Sequence, residues 1–318
     1  MLTSLRWLSV LKQGLQQQPY CIQVHSAGKL VGFLPLVFVE SAIFGRYLVS
    51  LSYVNSAGIV AETDAVASQL VDEAVKLAKR CNVRYLELRH EREITHPTLT
   101  EKNEAKVLMR LTLPSSTEEL WNSFKSKLRS QIRAGEKNGF EVCWGREELL
   151  CDFYRVFSHN MRDLGTPVYS RRLFSEILAT FAGDSELCVL KLGGSAVAAA
   201  LLLHTDKTTE VPSASSLRQF NNTNANMVMY WNLLVRAVER GQRTFDFGRS
   251  TVESGTYRFK KQWGAEPSPS VWQYHLRQGT IRALRPDNSR FSLAIKMWQR
   301  LPVSLTQLIG PPIVRGIP

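Results

Sequence analysis

The chain has 318 residues and a mass of 36.0 kDa, with 44% hydrophobic and 21% charged side chains. This is the composition of an ordinary globular protein with room for two modest cores, and it excludes a fibrous or disordered chain. The 40 lysines and arginines against 28 acids give a net charge of +12. Such a charge predicts affinity for polyanions such as nucleotides, RNA or anionic lipid surfaces.

The cysteines, histidines and apolar segments exclude further classes of protein. The five cysteines are scattered without a C-x-x-C pair, and the six histidines lack metal-ligand spacing. Neither a disulfide framework nor a metal site is therefore expected. No apolar run approaches the roughly 18 residues that span a bilayer, and the N-terminus has no small-residue cleavage site. We expect an unprocessed cytoplasmic protein without a transmembrane helix.

The first predicted elements form a hairpin, a helix and a strand. Alternating apolar residues predict strands at 20–25 and 29–39, joined by a turn at Ala27-Gly28 where glycine permits a positive φ. A helix and a short strand follow within residues 71–89. In that strand an acid, Glu87, lies between two leucines.

The same order recurs later in the chain. Strands are predicted at 187–192 and 196–204, and a helix followed by a strand lies within 229–249. The last strand again places an acid, Asp246, between two large apolar residues. The recurrence predicts a duplicated α/β (α+β) unit with mixed parallel and antiparallel strands, unless two unrelated α/β segments share the pattern by chance.

The predicted domain boundaries follow from the repeat. A strand at 105–114 closes a first unit, and Pro114-Ser115-Ser116 breaks the chain. The first unit is thus expected at 1–114, the second at 115–277, and a C-terminal helix and tail at 278–318. The remaining elements of the second unit are helices at 146–164 and 170–182 and strands at 140–144, 209–213 and 269–277.

A row of cations follows the start of the second unit. A capping box at Ser116 and a stop at Asn138-Gly139 predict one helix over 117–137. Lys125, Arg129, Arg133 and Lys137 recur in it every four residues. Like charges at this spacing repel by about 0.2–0.5 kcal/mol per pair. The row fits either a phosphate or acidic ligand, or an ordinary solvated face.

The stretch FDFGRSTVESGTYRFKKQWG, residues 245–264, is the strongest candidate site. Gly248 ends a predicted strand, so Arg249 projects from a strand end, where α/β proteins bind ligands. A helix beginning near Gly255 is expected to present one buried aromatic face and one basic face that includes Lys260. No Walker or dinucleotide loop is present. Lys260 therefore fits anion binding or proton transfer, or is a surface lysine beside core aromatic residues.

Four segments together resemble a known family. They are KLRSQIRAGEKNGFEV, FYRVFSHNMRDLGTPVYSRRLF, SLRQFNNTNANMVMYWNLLVRAVERG and FDFGRSTVESGTYRFKKQWGAEP. In these motifs and in the closing GPPIVRGIP the chain resembles the FemAB-type proteins of the GNAT acyltransferase superfamily, in particular the group found with exosortase and exopolysaccharide systems.

The resemblance implies a fold and an activity. The fold would be two tandem GNAT-like units with mixed sheets flanked by helices. The activity would be transfer of an acyl or aminoacyl group to an amine on a peptidoglycan, exopolysaccharide or other cell-envelope precursor. The co-substrate would be acyl-CoA or aminoacyl-tRNA, with no tightly bound cofactor. The usual acyl-CoA loop is replaced by FNNTNANM, and the long helical arm of some Fem enzymes has no room here, so the donor stays undecided.

The resemblance also implies site residues. Lys260 matches the functionally important lysine of the Fem pattern, and we expect Lys260 and Asp246 to be catalytic. Lys260 would bind donor phosphate or ribose, or stabilise developing charge. The residues expected to bind donor or substrate are Arg249, Tyr257, Phe259, Tyr230, Asn226, Arg129, Arg133, Lys137 and Tyr169.

The expected partners are an anionic or lipid-linked envelope precursor and, as a further candidate, tRNA; DNA is not expected. A C-terminal amphipathic helix with Phe291, Ile295 and Trp298 fits either core packing or contact with the inner face of the membrane. A non-catalytic GNAT-like module that binds an anionic glycan or lipid-linked intermediate is the alternative function.

Overall fold

The computed structural model describes residues 2–278 and 292–317. The chain divides into two compact units. The first comprises Met1–Lys106, Pro167–Glu176 and Pro269–Pro318, and the second comprises Val107–Thr166 and Ile177–Ser268. The predicted boundaries at residues 114 and 277 differ from this division, because the strand predicted at 105–114 belongs mostly to the second unit instead of closing the first, and residues 167–176 and 269–277 belong to the first.

The helices and strands are numbered in chain order over the described residues. The strands are β1 (Gln18–Ser26), β2 (Lys29–Ser41), β3 (Gly45–Val49), β4 (Val60–Ala61), β5 (Tyr85–His90), β6 (Glu101–Asn103), β7 (Lys106–Thr112), β8 (Glu141–Gly145), β9 (Ser185–Leu192), β10 (Ser195–Thr205), β11 (Thr208–Ser216), β12 (Thr244–Thr251), β13 (Glu266–Pro269) and β14 (Val271–Leu276). The helices are α1 (Leu2–Leu15), α2 (Asp64–Arg80), α3 (Thr117–Ser123), α4 (Ser126–Glu136), α5 (Leu150–Leu164), α6 (Arg171–Thr180), α7 (Ala225–Glu239), α8 (Gly255–Gln262), α9 (Ser292–Trp298) and α10 (Val303–Val314).

The first unit is built on a mixed sheet with the strand order β1-β2-β3-β5-β14-β6, and β4 pairs with β2. The hairpin β1–β2 is antiparallel, while β3 and β5 run parallel. Helix α2 connects these parallel strands, as a parallel pair requires. Thr63 caps it by accepting a hydrogen bond from the Val66 amide. Its buried face, from Ala67 to Ala78, packs on the strands.

The second unit repeats this arrangement. Its sheet has the order β13-β7-β12-β11-β10-β9-β8. The hairpin β9–β10 is antiparallel, β10 and β11 are antiparallel, and β11 and β12 run parallel with α7 between them. The predicted repeat and the mixed α/β fold class are therefore confirmed.

Three sequence predictions differ from the structure. The single helix over 117–137 is wrong: Phe124 and Lys125 are extended, with ψ of 142° and 148°, and separate α3 from α4. The Ser123 hydroxyl donates to the Leu120 carbonyl at 2.7 Å and competes with a continuing helix. The strand predicted at 269–277 is present as β14, but it belongs to the first sheet, between β5 and β6.

The third difference is at the C-terminus, where a second helix, α10, follows α9. Of the apolar residues named for the predicted amphipathic helix, Phe291 lies outside the described residues, and Ile295 and Trp298 are half-buried. Across residues 2–278 and 292–317, every helix is too short or too polar to cross a bilayer.

Candidate functional site

The parallel strands β11 and β12 separate towards their carboxyl ends. They pair at Thr208–Thr244, Thr209–Phe245 and Glu210–Asp246. Beyond these pairs β11 continues to Ser216 and β12 to Thr251. Open sheets bind ligands outside the carboxyl ends of such strands. We call the group at this position, Asp246, Gly248, Arg249 and Lys260, the strand-end site.

Lys260 holds the backbone of β12. Helix α8 begins at Gly255, as predicted, and Ser254 caps it by accepting from the Tyr257 amide. Lys260 is 8% exposed, and its ammonium donates to the carbonyls of Gly248 at 3.1 Å and Arg249 at 3.0 Å. The alternative that Lys260 is a surface lysine is therefore wrong; the two carbonyls provide the partners that a buried ammonium needs.

Asp246 holds the same bend through the Gly248 amide. One carboxylate oxygen accepts from the Gly248 amide at 2.7 Å, and the other accepts from Arg110 Nε at 2.8 Å. Gly248 has a φ of +74°, a left-handed conformation that favours glycine. Arg110 comes from β7, 136 residues earlier, and sequence reasoning missed it. What the sequence shows of Arg110 is a charged residue between two apolar ones, Met109 and Leu111.

An aromatic cluster supports β12 and α8 from the core. The Tyr230 ring stacks on Phe247 at 5.6 Å and meets Phe259 edge-on at 5.0 Å. Burial raises the pKa of the Tyr230 phenol well above its ordinary value, so this phenol stays neutral. Tyr257 is half-buried and packs on the same core. These rings hold the strand-end site in place.

The predicted cation row lies along α4. Arg129, Arg133 and Lys137 line a groove of about 390 Å³ together with two serines of that helix. The Arg133 guanidinium lies 5.2 Å from the centre of the Trp121 ring, a cation–π contact. Over the described part of the chain, these three cations make no ion pair with an acid. The groove therefore presents uncompensated positive charge.

The end of α4 packs against the first turn of α7. A Cβ on Gly135 would lie 2.5 Å from Val228 and 3.1 Å from the Asn224 carbonyl, so only glycine fits this approach. Asn138 donates to the Thr223 carbonyl at 3.1 Å. Asn224 at the start of α7 has a left-handed backbone, and its side chain makes no capping hydrogen bond. Asn226 is half-buried in this first turn.

Tyr169 belongs to the first unit, whereas the other predicted site residues belong to the second. Its ring meets Tyr53 edge-on at 5.2 Å. Burial raises the pKa of Tyr169, against the opposing effect of the Arg89 charge.

Residues 122–261 match the family model described as an acetyltransferase (GNAT) domain. This chain carries a GNAT acetyltransferase domain. The matched residues include the whole strand-end site and the cation row. The prediction of a GNAT-type acyltransferase is therefore confirmed, whereas the roles of the individual residues stay predictions.

Solved structures share the fold of this chain over nearly its whole length. FemX is 18% identical with a TM-score of 0.67, covering 86% of this chain and 91% of its own. The C-terminal domain of a putative lysylphosphatidylglycerol synthetase from Agrobacterium fabrum is 13% identical with a TM-score of 0.58, covering 91% of this chain and 96% of its own. A tandem GNAT protein from the clavulanic acid biosynthesis pathway is 9% identical with a TM-score of 0.54, covering 88% and 96%.

These likenesses show the tandem GNAT fold. No curated protein matches the chain by sequence.

Proposed function

We propose that this protein transfers an acyl or aminoacyl group, from acyl-CoA or aminoacyl-tRNA, to an amine on a cell-envelope precursor in the cytoplasm. The precursor would belong to peptidoglycan or exopolysaccharide synthesis or be linked to a lipid. The observation that carries the proposal is the separation of β11 and β12 within the GNAT domain, with Arg249 and Lys260 at the point of separation.

The proposal that the acceptor is an envelope precursor is supported by proteins of the same fold and by the sequence resemblance to FemAB-type proteins. The name of one of them, a putative lysylphosphatidylglycerol synthetase, describes an aminoacyl group joined to a membrane lipid. The same fold can serve different substrates. The acceptor class is therefore a proposal taken from these relatives and from the net charge of +12, which suits an anionic substrate.

The proposed reaction makes one C–N bond and breaks one bond to the donor. The acceptor nitrogen attacks the acyl carbonyl and loses its proton, and the donor leaves as the thiol of CoA or the ribose hydroxyl of tRNA. Positioned donors or cations must stabilise the oxyanion that forms. Arg249 and the cation row are proposed to bind the donor's phosphates.

Lys260 and Asp246 are proposed to act as positioning residues. Each already bonds to the backbone at Gly248 or Arg249. Their effect on the reaction would be to fix the strand-end backbone and the Arg249 side chain where the donor binds. We do not propose direct proton transfer by Asp246, because both of its carboxylate oxygens already accept hydrogen bonds.

The experiment combines a donor panel with two neighbouring lysine variants. Purified protein is incubated with acyl-CoA and aminoacyl-tRNA panels and an amine acceptor fraction, and mass spectrometry detects the product. Lys260→Ala is expected to lower the transfer rate at least about 100-fold, while the exposed neighbour Lys261→Ala leaves it unchanged. A Lys260→Ala variant that keeps its thermal stability and full turnover contradicts the assignment.

A non-catalytic binding module is the second candidate function. It is favoured by the internal hydrogen bonds that already occupy Asp246 and Lys260. It predicts an anionic glycan or lipid-linked ligand whose affinity falls in Arg129→Ala and Arg133→Ala, with no transfer from any donor of the panel. Detection of a transferred group excludes it.

A further inference from the structure

Exposed apolar side chains are concentrated at the C-terminus. Of the nine large apolar residues that are exposed in the described part of the chain, five lie within 292–317. Their exposed fractions are 68% for Leu293, 62% for Met297, 39% for Leu305, 73% for Leu308 and 37% for Ile317. Single exposed apolar residues are normal on soluble proteins, whereas a group on consecutive elements indicates an interaction surface.

The spacing places these residues on one face of each helix. In α9, Leu293 and Met297 are one turn apart, and Arg300 follows about one turn later. In α10, Leu305 and Leu308 are likewise one turn apart. Residues three and four apart lie on the same side of a helix. We call the exposed group Leu293, Met297, Leu305 and Leu308 the C-terminal surface.

The opposite face of α10 is firmly packed. Thr306, Gly310 and Val314 are buried and recur every four residues. Gly310 approaches Val168 so closely that a Cβ would lie 2.8 Å from the Val168 amide nitrogen. The Arg315 carbonyl accepts from Gln17 at 3.0 Å. The exposed leucines are therefore held outwards by a packed helix, and their exposure is not the result of a frayed end.

The charges of the two helices and their ends are of one sign. Residues 292–317 contain no aspartate or glutamate and three cations. Among them, Lys296 and Arg300 are exposed on and after α9. Soluble surfaces usually mix both signs, whereas apolar side chains bordered by cations suit the interface of an anionic bilayer. Each helix is too short to span a membrane, so it would lie in the plane of the headgroups.

We propose that the C-terminal surface docks on an anionic lipid membrane, with Leu293, Met297, Leu305 and Leu308 entering the headgroup region and Lys296 and Arg300 contacting lipid phosphates. The contact goes beyond the proposed transfer reaction and is independent of it. It would hold the protein where a lipid-linked molecule is available.

The test is sedimentation of the purified full chain with vesicles. The chain is expected to bind vesicles with about 30 mol% phosphatidylglycerol and to bind pure phosphatidylcholine far more weakly. Met297→Glu with Leu308→Glu should lower the partition coefficient at least about tenfold. Lys296→Glu with Arg300→Glu should reduce binding to anionic vesicles and its salt dependence. Circular dichroism and thermal melting confirm that each variant is folded.

Leu164→Glu is the matched control, because Leu164 is 54% exposed but lies on α5 of the second unit and is not part of the C-terminal surface. It should bind vesicles as the native chain does. Absence of binding to anionic vesicles, or equal loss in the control, overturns the proposal. So does self-association in solution that the Met297 and Leu308 changes abolish without any vesicle binding, since a second copy would then be the occupant. Transfer to a water-soluble amine, measured in parallel, separates this outcome from the proposed function.

Discussion

In the first unit the acid of the repeated strand, Glu87, is paired with Arg89 two residues further along β5, whereas the position two residues after Asp246 in β12 is Gly248. Both strands pair with their parallel neighbour at three positions. The same topology therefore carries a large buried cation in one unit and no side chain in the other.

The arginine fills the first strand end completely. Arg89 is 3% exposed, and its guanidinium donates to Glu87 at 2.7 Å and to carbonyls of the loop after β3. It also stacks 3.9 Å from the Trp272 ring centre. In the second unit the corresponding cations come from other elements, Arg110 on β7 and Lys260 on α8. The comparison shows that the first strand end is occupied by its own arginine; that the second strand end binds a ligand is part of the proposed function.

The largest effect on stability is expected from replacing Arg89 in the first unit. Arg89→Met leaves Glu87 buried without its partner and should lower the free energy of unfolding by about 3–5 kcal/mol, measured by chemical unfolding. Arg46→Met is the control, because the Arg46–Glu40 pair is half exposed and is worth less than about 1 kcal/mol. Equal effects of the two changes would show that the Arg89 network does not stabilise this strand end.

The pH dependence should differ between the units. Burial lowers the pKa of His90 in the first unit from 6.5 to about 4. Below pH 6.5 the unfolded chain then binds more protons than the folded one, so stability falls as the pH drops from about 6.5 towards 4, by up to about 3 kcal/mol. His90→Phe should flatten the unfolding free energy in this window. If the unfolding free energy of His90→Phe falls with pH as steeply as that of the native chain, His90 is not the group responsible.

In the second unit, the buried carboxyl group of Glu186 titrates at lower pH than His90 does in the first. Burial alone would raise the pKa of Glu186, but hydrogen bonds from His204 and Arg236 lower it to about 2. Its contribution is complete above about pH 4.5 and is lost as the pH falls towards 2. Hydrogen exchange at pH 5 should therefore show weaker protection in the first unit than in the second, relative to pH 7.

A moderate effect is expected at Gly248. Gly248→Ala forces a left-handed conformation on a residue with a Cβ and should cost about 1–2 kcal/mol, measured by thermal melting. Gly255→Ala is the control, because Gly255 has a negative φ and open space around its Cα. It should leave the melting temperature unchanged or raise it slightly. Equal destabilisation by both changes would contradict the account of the bend.

The smallest effect on stability is expected in the cation row. Arg129→Ala should leave the free energy of unfolding within about 0.5 kcal/mol of the native value. If the row contacts phosphates, the slope of log binding constant against log salt for a tRNA ligand should fall by about 0.7–0.9 for each contact removed. An unchanged slope would make the row an ordinary solvated face.

The sequence predicted the repeat because hydrophobic alternation and turn residues are local signals. It located Asp246, Gly248 and Lys260 in one segment for the same reason. It could not predict the pairing of Asp246 with Arg110, or the place of β14 in the first sheet, because partners so far apart in the chain leave no local pattern. The burial of Lys260 was also missed, since its two partners are backbone carbonyls, which no residue type reveals.

The central claim is that the strand-end site of the second unit, at β12, binds the acyl or aminoacyl donor, whereas the corresponding end of β5 in the first unit does not. Hydrogen exchange of the full chain with and without saturating donor, acyl-CoA or aminoacyl-tRNA, tests it most directly. The account predicts donor-dependent protection of amides in β12 and α8, with no change in β5 or in the loop after β3. Protection confined to the first unit's strand end would contradict it.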